Sequence, residues 1–344
     1  FTGTALTFNG LVTTTNGGKI EITNSGSLTQ TATGDINSDG SVTQNGIGDV
    51  FTAGDITTTA DDISFTEDVI LTGPVSMTTS GTGAANGDIS FAKTINSDAA
   101  VTTRDLTLTA GASDITVTGT IGDTASLEDL RIVSAHDVMF TASIVVESIL
   151  QNAGTGTTTF NSTVNTNSAT LAGIDLQSVT NVVFNDAVTT TGDGRVLIDH
   201  TGLLDIAPAA DFDLYGLFNQ SNATGTTQIA GNITTTGDSI HFAGAVTITD
   251  AATITTLFLD TTDGGANPTG ANITCTTSAP SSAIGPPWAP PRRPAKSSTS
   301  IRLSNFASSC SRSSNCRSSR RPRPDQAPIK TCSKSCRSLI VCPP

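Results

Sequence analysis

The chain has 344 residues, a formal net charge of −13, 13 Phe, one Trp and one Tyr. So acidic a chain does not suit nucleic acid, whose phosphates call for Lys and Arg. It has no apolar run long enough for a transmembrane helix, and no signal peptide is visible.

The charge is unevenly placed. Up to Thr274 there are five basic residues (Lys19, Lys93, Arg104, Arg131, Arg195) against 29 acids, so this part carries −24. From Cys275 on there are 12 basic residues and one acid, Asp325, which leaves +11. All six Cys and 11 of the 14 Pro also lie at 275 or later. Two kinds of sequence therefore meet at 274/275: a repeat region, 1–274, and a tail, 275–344.

Residues 1–60 hold irregular repeats, with Phe8 before Val12, Ile20/Ile22, Ile36/Val42 and Ile56, and Gly-Asp-Ile at Gly34 and Gly54. Phe1 already falls inside a repeat, so the chain reads as an internal piece of a larger protein. From 62 to 148 one phrase recurs: Asp, apolar, any, Phe, three residues, apolar. It reads Asp62, Ile63, Phe65, Val69; then Asp88, Ile89, Phe91, Ile95; then Asp114, Ile115, Val117, Ile121; then Asp137, Val138, Phe140, Ile144. Looser copies place Phe160 before Val164, Phe184 before Val188, Ile229 before Ile233 and Phe242 before Val246. From Phe65 to Phe184 the central slots are 26, 26, 23, 20 and 24 residues apart.

A period in the low twenties is a repeat architecture. Apolar and polar residues alternate within each phrase, as in half-buried strands. A second apolar pair follows in most copies (Val75/Met77, Leu106/Leu108, Leu130/Ile132, Val196/Ile198, Leu257/Leu259), with Gly, Asn, Asp, Ser and Thr between, the residues of turns. One such unit cannot bury its apolar side, but a stack can. The expected fold is all-β: a right-handed parallel β-helix (solenoid) of about 11 to 13 rungs with internal Phe ladders, right-handed because parallel crossovers are.

Residues 203–218 leave the pattern, with Pro208, three acids (Asp205, Asp211, Asp213) and the only Tyr, Tyr215. Insertions in solenoids often form the binding face, so Asp205, Asp211, Asp213 and Tyr215 are the candidate binding loop. The competing reading is a longer corner packed by Phe212 and Leu214. Residues 226–274 return to the repeat.

The tail is rich in Ser, Pro and Arg and has no periodicity, so disorder is expected. Cys332/Cys336 and Cys310/Cys316 make no zinc pattern without His, and the tail has none. Its onset directly after Ile273-Thr274 resembles a frameshift. With TCN serine codons assumed, Lys296–Ile301 read in another frame alternates apolar and polar like the repeat.

The Gly-Asp-Ile-Ser-Phe phrase at 87–91, Ala110 to Val117 and the Thr/Asn-rich rungs resemble the filamentous-haemagglutinin-type repeats of bacterial surface adhesins. These include autotransporter passengers and two-partner secreted exoproteins. The resemblance covers 1 to about 274. It implies a secreted, bacterial, cell-surface stalk or adhesin that is not an enzyme. Its partners would be host-cell or matrix glycans and proteins, neighbouring cells, and other parts of the same large chain. An acidic, Cys-poor, Thr-rich composition suits that extracellular setting.

The rival reading is a polysaccharide lyase or glycosidase, which needs converging carboxylates. Asp61/Asp62 and Asp211/Asp213 are the close pairs, but Asp62 sits in the recurring corner slot, and five basic residues offer little to hold an acidic sugar. No phosphate loop and no serine nucleophile elbow occurs, and no catalytic residue is expected. His136, His200 and His241 are read as surface residues. No cofactor is expected beyond weak calcium binding at stacked Asp corners such as Asn37–Gly40 and Asp260–Gly264. Ice binding would need unbroken Thr ladders, and the Thr runs at 13–15, 57–59, 189–191 and 234–236 recur unevenly.

Overall fold

The computed structural model describes residues 1–79, 87–99, 104–168, 172–222, 224–249, 257–275 and the backbone of 301–303. Among these, every strand pairing is parallel, and the only helical piece is one 3-10 turn, Asp263–Gly265. The fold is a β-solenoid of about 11 turns.

Each turn presents three short strands, one to each of three faces. The rung at 63–78 shows the plan. Ile63–Phe65 lies on the first face, Val69–Leu71 on the second and Val75–Thr78 on the third. Their burial alternates, so in each strand two apolar side chains point inward and the residue between them outward, as the period of two requires.

Each strand hydrogen-bonds to its equivalent one turn away. Along the first face one internal position runs Ile22, Gln44, Phe65, Phe91, Val117, Phe140, Phe160, Phe184, Ile206, Ile229, Ile248. Ten steps of about 4.8 Å give a stack of roughly 48 Å. The rings of Phe140, Phe160 and Phe184 stack face to face with centroids 5.3 and 4.8 Å apart. Phe65 and Phe91 stack at 5.5 Å, and the gap between these two groups is filled by Val117.

Two of the nine phrase copies belong elsewhere. Phe8 pairs with Gln30 on the second face, and Phe242 with Gln220 on the third. Their apolar partners four residues on mark other corners of the coil. Other rungs miss the phrase because their first corner is longer. Ile22, Gln44 and Ile206 are followed by Leu28, Val50 and Phe212, a spacing of six instead of four.

Residues 203–218 are one such rung. Leu203–Ile206, Phe212–Leu214 and Phe218–Gln220 occupy the three faces in order. The corner 207–211 is closed by Ala210 N–H donating to Ala207 O at 2.9 Å. Phe212 and Leu214 are buried, so the longer-corner reading describes this stretch.

At the far end, Ile273–Cys275 pairs with Ile240–Phe242. The boundary drawn at 274/275 therefore falls inside a strand. In the tail, Ile301–Leu303 pairs in parallel with Leu257, Phe258 and Leu259, a contribution to the rod that the tail was not expected to make. Trp288, Cys310, Cys316, Cys332, Cys336 and Cys342 lie outside the described residues.

Candidate functional site

The aspartates of the recurring phrase form a ladder on the corner before the first face. Asp62 Oδ1 accepts the backbone N–H of Asp88 at 2.9 Å, Asp88 that of Asp114 at 3.0 Å and Asp114 that of Asp137 at 3.0 Å. Asp137 in turn accepts from Thr157 at 2.6 Å. Each carboxylate extends the sheet ladder by one bond, into a corner where no strand carbonyl meets that N–H. The same device recurs on the other corners: Asp35 and Asp55 take the N–H groups of Asp55 and Ser76, and Asp211 takes that of Asn232. Asn does the job equally, as Asn181 to Leu203 and Asn232 to Phe258 show. The slot thus asks for a short side chain with an acceptor oxygen, and a charge is not needed.

The candidate loop residues separate in space. Asp205 is half-buried on the first face, and burial raises its carboxyl above the ordinary aspartate range. Tyr215 is exposed beyond the end of Phe212–Leu214. Asp211, at the end of the corner, and Asp213, on the second face, stay together and line an open groove of about 440 Å³ with Phe212, Asn232, Thr234, Phe258, Asp260, Asp263 and Gly264. Thr234 pairs with Asp213 on one side and with Asp260 on the other, so the outward row reads Asp213, Thr234, Asp260 along the rod. Phe258 is 41% exposed at its edge.

The groove offers carboxylate and amide acceptors beside one flat apolar ring. That set suits a sugar, whose hydroxyls donate and whose C–H face packs on an aromatic ring. Among the described side chains that line it there is no Lys or Arg.

A second acidic concentration lies where the third face begins in the middle rungs. Asp105 and Glu147 are both raised above the usual carboxylate range, by burial first; for Asp105 the N–H of Asp129 opposes this and the Asp129 and Glu128 carboxylates add to it, and for Glu147 the Glu128, Asp129 and Asp105 carboxylates add to it. On the corner before the first face, His136 Nδ1 lies 3.1 Å from Asp114 Oδ1 and 3.5 Å from Asp137 Oδ2. Among the described residues, these three side chains are the group that could hold a metal ion, with ligand atoms within 4.8 Å of one another. Calcium takes six to eight oxygens, and two carboxylates with an imidazole do not make that set.

The histidines do not share one environment. His136 is exposed and His241 half-buried, but His200 is fully buried, which corrects its reading as a surface residue. It occupies an inward position of Val196–His200 that Val179 fills one turn before. Nothing in the phrase marks it, since it lies in the third corner, where spacing varies.

Comparison of the chain with family models, curated proteins and solved structures gives no match. No described helix is long and apolar enough to cross a membrane. Its class is therefore defined by its coordinates alone: a parallel β-solenoid with an acidic groove on its second face.

Proposed function

We propose that the chain is a rod segment of an extracellular bacterial adhesin, and that it binds through its side without covalent chemistry. The observation that carries this reading is the commitment of the corner carboxylates to backbone N–H groups of the next turn. Asp62 and Asp211, one member of each of the two close acid pairs that a glycosidase reading needs, are both engaged in this way. The resemblance to filamentous-haemagglutinin-type repeats supports the same reading, as does a side surface built of outward polar rows. The ligand class that the groove at Asp211, Asp213, Asp260 and Phe258 fits is a neutral saccharide.

The test is a two-arm assay on the whole chain. Incubation with pectin, alginate and glycosaminoglycans is expected to release no product, while immobilised neutral glycans or cells retain the protein. Asp213→Ala with Phe258→Ala, both on the outer side of the sheet, is expected to weaken that retention about tenfold or more without loss of fold. Reproducible chain cleavage that disappears in Asp62→Asn or Asp211→Asn would replace the adhesin with an enzyme. Deleting 203–218 is unsuitable, because it removes strands from all three faces.

A further inference from the structure

His200 is the one histidine that the described structure buries completely. Its Nδ1 lies 3.2 Å from the carbonyl oxygen of Gly202. A carbonyl only accepts, so Nδ1 carries the proton and Nε2 is a bare acceptor. Among the described residues no group meets Nε2. The ring is also tightly confined: a Cβ placed on Gly225 would come within 2.4 Å of its Cε1 and Nδ1.

The charges around it are few. Asp199, next along its own strand, is tied to Asn222 Nδ2 at 2.9 Å. The turn below contributes Ser178 and Val179, and the turn above Thr224, Gly225 and Thr226, none of them charged. Asp205 follows on the first face, on the outer side between buried Leu204 and Ile206.

We propose that His200 is an acid-sensitive joint in the rod, at which protonation opens the corner between the third and first faces. A proton on Nε2 would create a charged N–H inside the coil with no acceptor and no solvent. A buried unpaired charge is costly, and the least disruptive relief is for the ring to leave the interior. That movement breaks the packing on Gly225 and loosens Val196–His200, Leu203–Ile206 and Thr226–Ile229. Burial holds the imidazole below its ordinary range despite the opposing pull of Gly202 and Asp199. The folded state therefore binds fewer protons than the unfolded one as pH falls below about 6.5, and stability drains locally there.

Hydrogen exchange of the full chain, read by mass spectrometry and corrected for the intrinsic rate at each pH, tests this. Between about pH 7.5 and about pH 5, protection of peptides covering 196–206 and 224–229 is expected to fall by about tenfold or more. Peptides covering 36–71, which contain no histidine, are expected to keep theirs. His200→Phe and His200→Gln remove the titrating group, and either one that folds is expected to lose the acid response. Protection at 196–206 that does not change with pH in the native protein would overturn the proposal. So would an equal acid response in a folded His200 variant.

Discussion

At the residue scale, the aspartate that opens each phrase is explained by one hydrogen bond. Asp88 Oδ1 holds the N–H of Asp114 at 3.0 Å, one turn ahead. Removing the acceptor in Asp88→Ala is expected to cost about 1 kcal/mol, read as a lowered midpoint in urea. Asp88→Asn keeps the oxygen and relieves repulsion within the row Asp62, Asp88, Asp114 and Asp137, so its midpoint is expected to match or exceed that of the native protein. A loss for Asn as large as that for Ala would mean that the charge matters, for instance by holding a cation.

At the scale of the rung, the corners are limited by backbone contact between turns. The Cβ of a residue replacing Gly48 would lie 1.7 Å from Gly26 O, and at Gly87 it would lie 2.0 Å from the carbonyl carbon of Asp61. Neither neighbour is a flexible side-chain end, so the turns must separate to admit even a methyl group. Gly48→Ala is expected to cost about 2 kcal/mol or more. Gly10→Ala, where nothing lies within 4 Å, is expected to change stability by no more than about 0.5 kcal/mol. Thermal melts of the two variants side by side make the comparison, and equal midpoints would show that the stack is looser than its backbone contacts indicate. The same close stacking explains why polar residues can occupy internal positions. Gln44 stands in the Phe row, and its amide donates to Asn24 Oδ1 at 2.8 Å while its oxygen accepts Thr66 N–H at 3.1 Å.

At the scale of the whole molecule, 29 acids against five bases up to Thr274 make self-repulsion a general term, which salt screens. It is sharpest around Asp105, Glu128, Asp129 and Glu147. Because Asp105 and Glu147 are raised in the folded state, that state binds more protons than the unfolded chain between the ordinary and the raised values. Stability contributed by these two groups therefore grows as pH falls through that window and is lost as pH rises through it. His200 acts in the opposite sense from a higher pH, so the clean measurement is made at neutral pH. Asp105→Asn with Glu147→Gln is expected to raise the melting temperature by about 2 °C, with a smaller gain in high salt. An unchanged or lower value would show that these carboxylates are stabilised by contacts that outweigh their repulsion.

The repeat itself was legible in the order of residues. Alternation with a period of two marks strands, and a central slot, Phe in all but Val117, recurring every 20 to 26 residues between Phe65 and Phe184 marks stacked turns, because both are local consequences of burying one side of an extended chain. What lay beyond reach was everything carried by the variable corners. Phe8 and Phe242 matched the phrase yet face other sides, and Ile206 failed it yet sits in the row, since a corner two residues longer changes spacing without changing the face. Gln44 and His200 are buried against their polarity, which only their neighbours one turn away could reveal. The acidic groove was half visible: Asp211 and Asp213 are two residues apart in the chain, but Phe258 and Asp260 reach them only because two further turns of the coil bring them alongside. In a solenoid each face is assembled from residues about one repeat apart, so sequence determines the rung, and the stacking of rungs determines the surface.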